Sequence, residues 1–455
     1  MKTMFTRGAL LLLTLSGLFA QSEAGAIFLL IAPGARAGGM GESQVAIADD
    51  AYASYWNPAG LGFLKGTELG LMHVNWLPNL ADDLYYDFFT MRHEIPNLGT
   101  IGGHLIYLGL GQQIRTDETG QNLGTFTSYM MAFAGSYSAL LSRKSSFGLN
   151  VKVSYQHLAE QGAGAEKGKG TSTDFGFDIG YLRKDLLGSR LDFGATVTNI
   201  GPKVSFIDPA QADPQPTNLT IGMNLKLLKS KYNRLNFSYD IQKILVASYP
   251  DMDWDGNGAI GGYDEYGHES TKNADYNKKG QKEIAHTDPI YLAIFTSWVD
   301  NWLLGGDIDK STSSGSNDRI IGGYDWQDNN NNGKIDLDEG EIVKAGADPA
   351  NGLSYGDEGW GIYNQYGQKE VGSAKDRTIM NEVDQLVHHV GLEYWYSNYF
   401  ALRMGYLYDK TGKIYNPTFG IGLRFAGYGF DFGYTSGPPG HPLTNTMRFS
   451  LGWEF

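Results

Sequence analysis

The chain has 455 residues, with 61 Gly, 28 Tyr, 22 Phe, 9 Trp and no Cys, and it carries a formal net charge of −14. Without cysteine there is no disulfide scaffold, thiolate metal site or cysteine nucleophile. The acidic balance argues against nucleic acid as a partner, because binding it needs a basic face to neutralise phosphates. A chain rich in Gly and aromatic residues yet only 42% apolar leans towards a large β structure.

The first element is a targeting segment. Lys2 and Arg7 precede an apolar run over Gly8–Ala20, and small-residue cleavage sites follow at Ala20 or Ala24. A basic start, a short apolar core and a processing site are the anatomy of a secretory signal peptide, so residues 1–24 are expected to be removed on export. The run is short for the ~20 residues that a membrane-spanning helix needs. No later stretch reaches 18 uninterrupted apolar residues. Export without such a helix leaves the periplasm, the exterior or an outer-membrane barrel.

Residues 25–64 lack alternation and are rich in small residues; they contain Gly34-Ala-Arg-Ala-Gly-Gly-Met-Gly41, then Asp49-Asp50 and Asn57-Pro-Ala-Gly60. Gly39 and Gly41 allow close backbone packing, and Asn57-Pro58 is expected to fix a turn ahead of the first strand.

Period-two alternation then dominates. Weaker strand candidates fall near 66–76, 83–93, 97–112 and 124–141. Stronger ones follow: Phe147, Leu149, Val151, Val153 and Tyr155 form one stripe, Phe175, Phe177, Ile179 and Tyr181 another, and Leu191, Phe193, Ala195 and Val197 a third. Leu219–Leu227 and Leu235–Ile241 continue the pattern. After residue 385 it resumes with Val390–Tyr396, Phe400–Tyr408, Phe419–Phe425, Phe430–Tyr434 and Met447–Phe455. In the last of these, Met447, Phe449, Leu451, Trp453 and Phe455 alternate with Arg448, Ser450, Gly452 and Glu454. Alternation puts the two sets on opposite faces, one greasy and the other Gly and polar. A soluble sandwich would carry charge on its outer face. Here the aromatic residues crowd the strand ends and the polar face is small, which fits lipid outside, aromatic girdles at the interfaces and a polar interior. Closure also removes sheet edges that lipid cannot satisfy. The expected fold is all-β: a transmembrane outer-membrane barrel of about 14 antiparallel strands, nine over 65–250 and five over 385–455. The terminal Phe455 on an alternating strand resembles the assembly signal of such barrels.

Residues 251–384 break the pattern. They hold 26 Asp/Glu against 11 Lys/Arg, and the rest of the chain is close to neutral. This acidic insertion is expected at the extracellular side, where barrel loops are long. Its one apolar stretch, Ile290–Val299, reads as a plug, hairpin or docking segment. Two loops within it match a calcium-binding register. Asp253, Asp255 and Asn257 precede Gly258, with the Ala259 carbonyl and Asp264 at the seventh and twelfth positions. Asp328, Asn330 and Asn332 precede Gly333, with the Lys334 carbonyl and Glu339 in the same places. Ca²⁺ takes oxygen ligands at positions 1, 3, 5, 7 and 12, with Gly at 6 for the turn. Exposed Asp/Asn/Gly turns have the same composition; two loops in full register favour calcium as a staple of the insertion.

Enzyme chemistry has little support. His388 and His389 are neighbours on a strand and face opposite ways, so they do not chelate one metal. Glu393 and Arg403 read as an ion pair in the lumen. No Ser/His/Asp constellation, phosphate loop or zinc spacing appears.

The stretch from Gly34 to Leu61 resembles the N-terminal signature of FadL-like barrels, in particular the PorV/PorQ family, through Gly34, Arg36, Gly39, Met40, Gly41, Asp49, Asp50, Asn57, Pro58, Ala59 and Gly60. Asn233–Val246, Gly391–Tyr406 and Asn445–Phe455 are similar to later strands of that family. The resemblance implies a 14-stranded, non-enzymatic barrel in the outer-membrane lipid with the N-terminal segment as a plug inside it. It implies a role in type IX secretion: association with the translocon barrel SprA (Sov), receipt of cargo through a C-terminal domain, and transfer to the attachment complex containing PorU. The alternatives are a FadL-like transporter of hydrophobic small molecules, which needs an apolar path that these inward faces do not offer, and a structural Ca²⁺-binding surface barrel.

Overall fold

Fourteen strands follow from the alternation just described. In the computed structural model, which describes residues 24–116, 121–159, 170–206, 212–249, 261–270, 274–300, 302, 379–439 and 441–455, they are β1 (Thr67–Asn75), β2 (Tyr85–Ile95), β3 (Gly99–Thr116), β4 (Asn122–Ser142), β5 (Ser145–Ala159), β6 (Gly170–Leu186) and β7 (Leu191–Ile200). After these come β8 (Asn218–Lys229), β9 (Asn233–Ile244), β10 (Val387–Tyr396), β11 (Phe400–Asp409), β12 (Ile414–Phe425), β13 (Tyr428–Thr435) and β14 (Thr446–Glu454). Every neighbour is antiparallel, and β1 pairs with β14, Leu71 opposite Leu451, so the sheet closes into a barrel. The ladder also closes across the insertion, where β9 pairs with β10 and Tyr239 lies opposite Val390.

The wall is inside-out relative to a soluble protein. On β14, Met447, Phe449, Leu451 and Trp453 are exposed, whereas Thr446, Arg448 and Ser450 are buried. On β6, Phe175, Phe177, Ile179 and Tyr181 are exposed and Asp174 and Asp178 buried. A greasy outer face over a polar interior is stable only against lipid. Among the described residues no helix is long and apolar enough to cross a membrane; the strands do so instead.

Tyrosines mark one rim of the apolar belt. The rings of Tyr85, Tyr107 and Tyr129 stack from strand to strand with centroids 5.8 Å apart at each step. The connections are asymmetric as well. At one end they are short (96–98, 143–144, 187–190, 230–232, 397–399, 426–427), and at the other they include 76–84, 201–217, 436–445 and the 245–386 segment. Short turns on one side and long loops on the other are the pattern of outer-membrane barrels.

The chain divides into two units, and residues 246–383 belong to the second. Within it, Ser248–Tyr249 pairs with His286–Thr287, and Ile290–Thr296 forms an α-helix. The apolar stretch is therefore helical, not a hairpin. Residues 1–23 of the expected signal peptide lie outside the described residues.

Candidate functional site: a polar lumen and the segment inside it

Ahead of β1, residues 24–64 fold into single turns: 3₁₀ turns at Ile27–Leu30 and Pro58–Phe63, and short helices α1 (Ala35–Gly38) and α2 (Ala53–Trp56). Side chains here are small enough for complete burial; Ala35, Ala37, Ala48, Ala51, Ala53 and Ala59 have no exposed surface. α1 touches β12, β13 and β14, while the Pro58–Phe63 turn touches β3, β4, β5 and β6. A segment that meets opposite walls of a closed barrel lies in its lumen.

Against β10–β13 the segment is held by charge. Arg36, on α1, reaches Glu393 of β10 through two parallel hydrogen bonds, Nε to Oε1 at 2.8 Å and Nη2 to Oε2 at 2.9 Å. The opposite edge of the guanidinium meets Asp49 and, at 3.2 Å, Asp50. Glu393 also accepts from Arg403 Nε of β11 at 2.9 Å, and Arg403 donates to Asp431 of β13 at 2.8 Å. Arg424 of β12 closes the chain with two bonds to Asp431, at 3.1 and 2.7 Å. Glu393 and Arg403 face each other directly in the β10–β11 register. Trp395 lies under three guanidiniums, those of Arg234, Arg403 and Arg424, each 5.5–5.6 Å from the ring centre. Planar, bidentate arginine pairing gives direction as well as energy.

Next to this network, the backbone does the work. Asp240 of β9 accepts the amides of Gln44 and Val45 at 2.8 and 2.9 Å, and His389 donates through Nδ1 to the Gly41 carbonyl at 2.9 Å. Gly41 has a left-handed φ of 62°, and a Cβ there would lie 2.5 Å from the Val390 carbonyl oxygen, so glycine is required twice over. Arg448 of β14 reaches Glu42 at 2.9 Å.

Against β4–β6 the fit is steric. Asn57 caps the Pro58–Phe63 turn by accepting from the Ala59 amide at 3.1 Å, and its Nδ2 donates to the carbonyls of Val45 and Tyr181 at 3.0 and 3.1 Å. Ser138 and Ser146 both donate to the Ala59 carbonyl. Pro58 and Ala59 press on bare backbone: a Cβ on Gly148 would lie 2.2 Å from the Ala59 nitrogen. Asn57-Pro58 was expected to turn the chain towards the first strand. It caps a helical turn instead and docks on the wall, with β1 starting only at Thr67. A one-dimensional motif does not distinguish a strand-initiating turn from an N-cap, because both use Asn followed by Pro.

All eleven motif residues lie in this segment. The anticipated Glu393–Arg403 pair is formed, and His388 and His389 diverge as expected: His388 stacks on Tyr239 with ring centres 6.0 Å apart, while His389 points inward. Sequence reasoning missed that Arg36 is the third member of the pair and that Asp431, Arg424 and Asp240 belong with it. Inward-facing Asp and Arg on adjacent strands were the available signal.

A cavity of about 50 Å³ remains between the segment and β5 and β7–β10, lined by Lys152, Thr196, Asn199, Asn218, Gln242 and His389 among others. That is space for about three to five waters. The hydroxyl of Thr196 and the side-chain carbonyl of Asn218, buried without a protein partner, suit such waters. The calcium-register residues Asp253, Asp255, Asn257, Ala259, Asp328, Asn330, Asn332, Lys334 and Glu339 lie outside the described residues. Asp264 is described. Its Oδ1 accepts the amides of Tyr266 and His268 at 2.9 and 2.8 Å, and its Oδ2 faces the His268 ring at 3.0 Å. These bonds, the His268 amide first, hold its carboxyl below the usual carboxylate range. A cation at this position would compete with His268 for Oδ2.

A closed barrel of fourteen strands, greasy outside, with a buried polar network inside, defines an outer-membrane β-barrel protein. The sequence model of one family, described as "Type IX secretion system protein PorV", matches residues 21–251. The chain belongs to the PorV family. Among solved structures, the toluene transporter TbuX of Ralstonia pickettii is similar at 13% identity and a TM-score of 0.47, covering 94% of this chain and all of its own. The Pseudomonas putida toluene transporter TodX is similar at 12% identity and a TM-score of 0.43, with 95% and 97% covered. A Pseudomonas aeruginosa FadL homologue gives 9% and 0.36, with 92% and 98% covered. No curated protein matches the sequence significantly.

Proposed function

We propose that this barrel acts in type IX secretion as a non-enzymatic carrier: it associates with the translocon barrel SprA (Sov), receives cargo by its C-terminal domain and passes it to the attachment complex that contains PorU. Family membership supports the secretion role. The observation that carries the non-channel part is the anchoring of the inner segment, where Arg36, Glu393, Arg403, Asp431 and Arg424 form one continuous chain of charge. The apolar side chains inside the barrel, Met72, Val74, Phe88, Ile106 and Leu108, are packed against Phe28, Leu29 and Tyr52 of this segment; a lumen occupied in this way, as a plug, keeps them from a hydrophobic solute, which weighs against the FadL-like transporter reading. Work on cargo then falls to the rim loops, and the acidic insertion over 251–384 enlarges that surface on the extracellular side. Its two Asp/Asn/Gly loops are proposed Ca²⁺ sites that stiffen it; titration of the purified full chain is expected to show Ca²⁺ heat at millimolar concentration or below, the range of extracellular sites, to lose part of it in Asp328→Ala and to lose it altogether in Asp253→Ala/Asp328→Ala.

The direct test is affinity purification of the tagged barrel from native outer membranes, followed by mass spectrometry. Recovery of a very large translocon barrel together with proteins sharing one C-terminal domain is expected. A lone barrel carrying fatty acid or other hydrophobic ligand would overturn the carrier reading in favour of transport. Deleting 251–384 is expected to reduce cargo release while leaving the barrel folded.

A further inference from the structure

The helix Ile290–Thr296 and the turn after it are inverted. Ala293, Ser297 and Asp300, spaced four and three residues apart, are the buried stripe, with Ala293 only 2% exposed. Tyr291, Leu292, Ile294, Phe295, Trp298 and Val299 face outwards, Tyr291 at 68% and Phe295 at 73%. In a soluble loop the greasy stripe is buried and the small polar one exposed. The backbone is not at fault: Ala293 N–H to Pro289 O and Ser297 N–H to Ala293 O are sound helical bonds of 2.9 and 3.0 Å. The same reversal, small and polar within, large and apolar without, is what β6 and β14 show against lipid.

We propose that this face, Tyr291 to Val299, lies in the outer leaflet of the membrane as an interfacial anchor of the acidic insertion. Two further observations favour lipid, and a third says how the face would be held. Tyr, Trp and Phe mixed with Leu, Ile and Val is the composition of membrane–water interfaces, where an amphipathic ring has one end apolar and the other wet. From Glu283 to Asp309 there is no Lys or Arg, so an anchor here would hold by apolar insertion and not by headgroup electrostatics. Both ends of the insertion continue into β9 and β10, which are themselves in the membrane, so the bilayer is present at high effective concentration and a shallow face of six residues is enough. Such an anchor would hold a segment of strong negative charge down at the surface rather than letting it extend away.

The chain contains no cysteine, which makes site-directed labelling clean. Phe295→Cys and, independently, Tyr291→Cys would each carry a nitroxide in the full-length protein reconstituted in phosphatidylcholine vesicles. Tyr266→Cys, in the exposed turn of the same unit, is the aqueous control. Power-saturation spectroscopy compares relaxation by oxygen, which partitions into lipid, with that by a water-soluble nickel chelate. Oxygen is expected to dominate several-fold at 295 and 291, with the order reversed at 266. Nickel dominating at both test sites overturns the proposal, since the face is then in water. Shielding from both reagents overturns it too: protein would then cover the face, whether residues 303–378, a second copy or a partner.

Discussion

Besides an apolar cluster against β1–β4, the inner segment is fixed to its barrel in two contrasting ways, and the contrast explains what each side is able to do. Towards β10–β13 it is bound by arginine and carboxylate, groups that keep their attraction through small displacements. Towards β4–β6 it is bound by shape, with Pro58 and Ala59 resting on the backbone of Gly148 and Gly180, where nothing fits but what is there. Charge sets the orientation of the segment; contact sets its depth. A wall that held it by charge alone would leave water along the interface.

The largest break should come on the charged side. Glu393→Ala removes the one carboxylate shared by Arg36 and Arg403 and leaves Arg36 with only Asp49 and Asp50, and Arg403 with only Asp431, a loss of ~3 kcal/mol, the low end for a broken buried pair. Loss of the folded band on heated semi-native gels is expected at a clearly lower temperature than for the parent. If Arg36→Ala in the Glu393→Ala background restores part of that loss, the pair is coupled as drawn; simple additivity would contradict the contact. Next comes Gly148→Val. Its Cβ lands on the backbone of Ala59, and overpacking of this kind costs ~1–3 kcal/mol, with raised protease access to the 24–64 segment as the specific sign. Asn57→Ala gives up a cap and leaves the Val45 and Tyr181 carbonyls without their donor, for ~1–2 kcal/mol. Tyr107→Ala, in the outer tyrosine ladder, should cost only ~0.5–1.5 kcal/mol beyond lost area and leave the segment's protection unchanged, which separates the wall's outer face from its inner one.

The smallest effect concerns Asp264. Its carboxyl is held below the ordinary range by the amides of His268 and Tyr266, so the ionised form supports the turn. That support is complete above the unfolded-state value and is lost as pH falls through the lowered one. Asp264→Ala should therefore speed deuterium uptake over 261–270 at neutral pH and leave global unfolding unchanged. Equal uptake in parent and variant would remove the turn's dependence on this carboxylate.

The wall was legible because β structure in a barrel is a local, period-two code: a run such as Phe175, Phe177, Ile179 and Tyr181 states its own face without reference to anything distant. The four weaker strands near the N-terminus were located by the same rule, within a few residues at each end. The lumen was only half legible. Glu393 and Arg403 are cross-strand neighbours, so alternation alone brought them together. Arg36 is separated from Glu393 by 357 residues, and no periodicity links a single turn of helix to a strand on the far side of a ladder. Asn57-Pro58 was misplaced for a related reason: the dipeptide fixes local geometry but not what the turn packs on. The apolar stretch at Ile290–Val299 stood out by composition, yet only burial revealed which stripe of it faces in.

The proposed carrier role requires that the segment bound through Arg36 and Glu393 close the lumen. Planar-bilayer recording of the purified native barrel, side by side with Glu393→Ala, tests this most directly. The native protein should give no steady conductance, and the variant should give intermittent openings as the segment loosens. A stable open level in the native barrel, unchanged in the variant, would contradict the account and return the barrel to the class of channels.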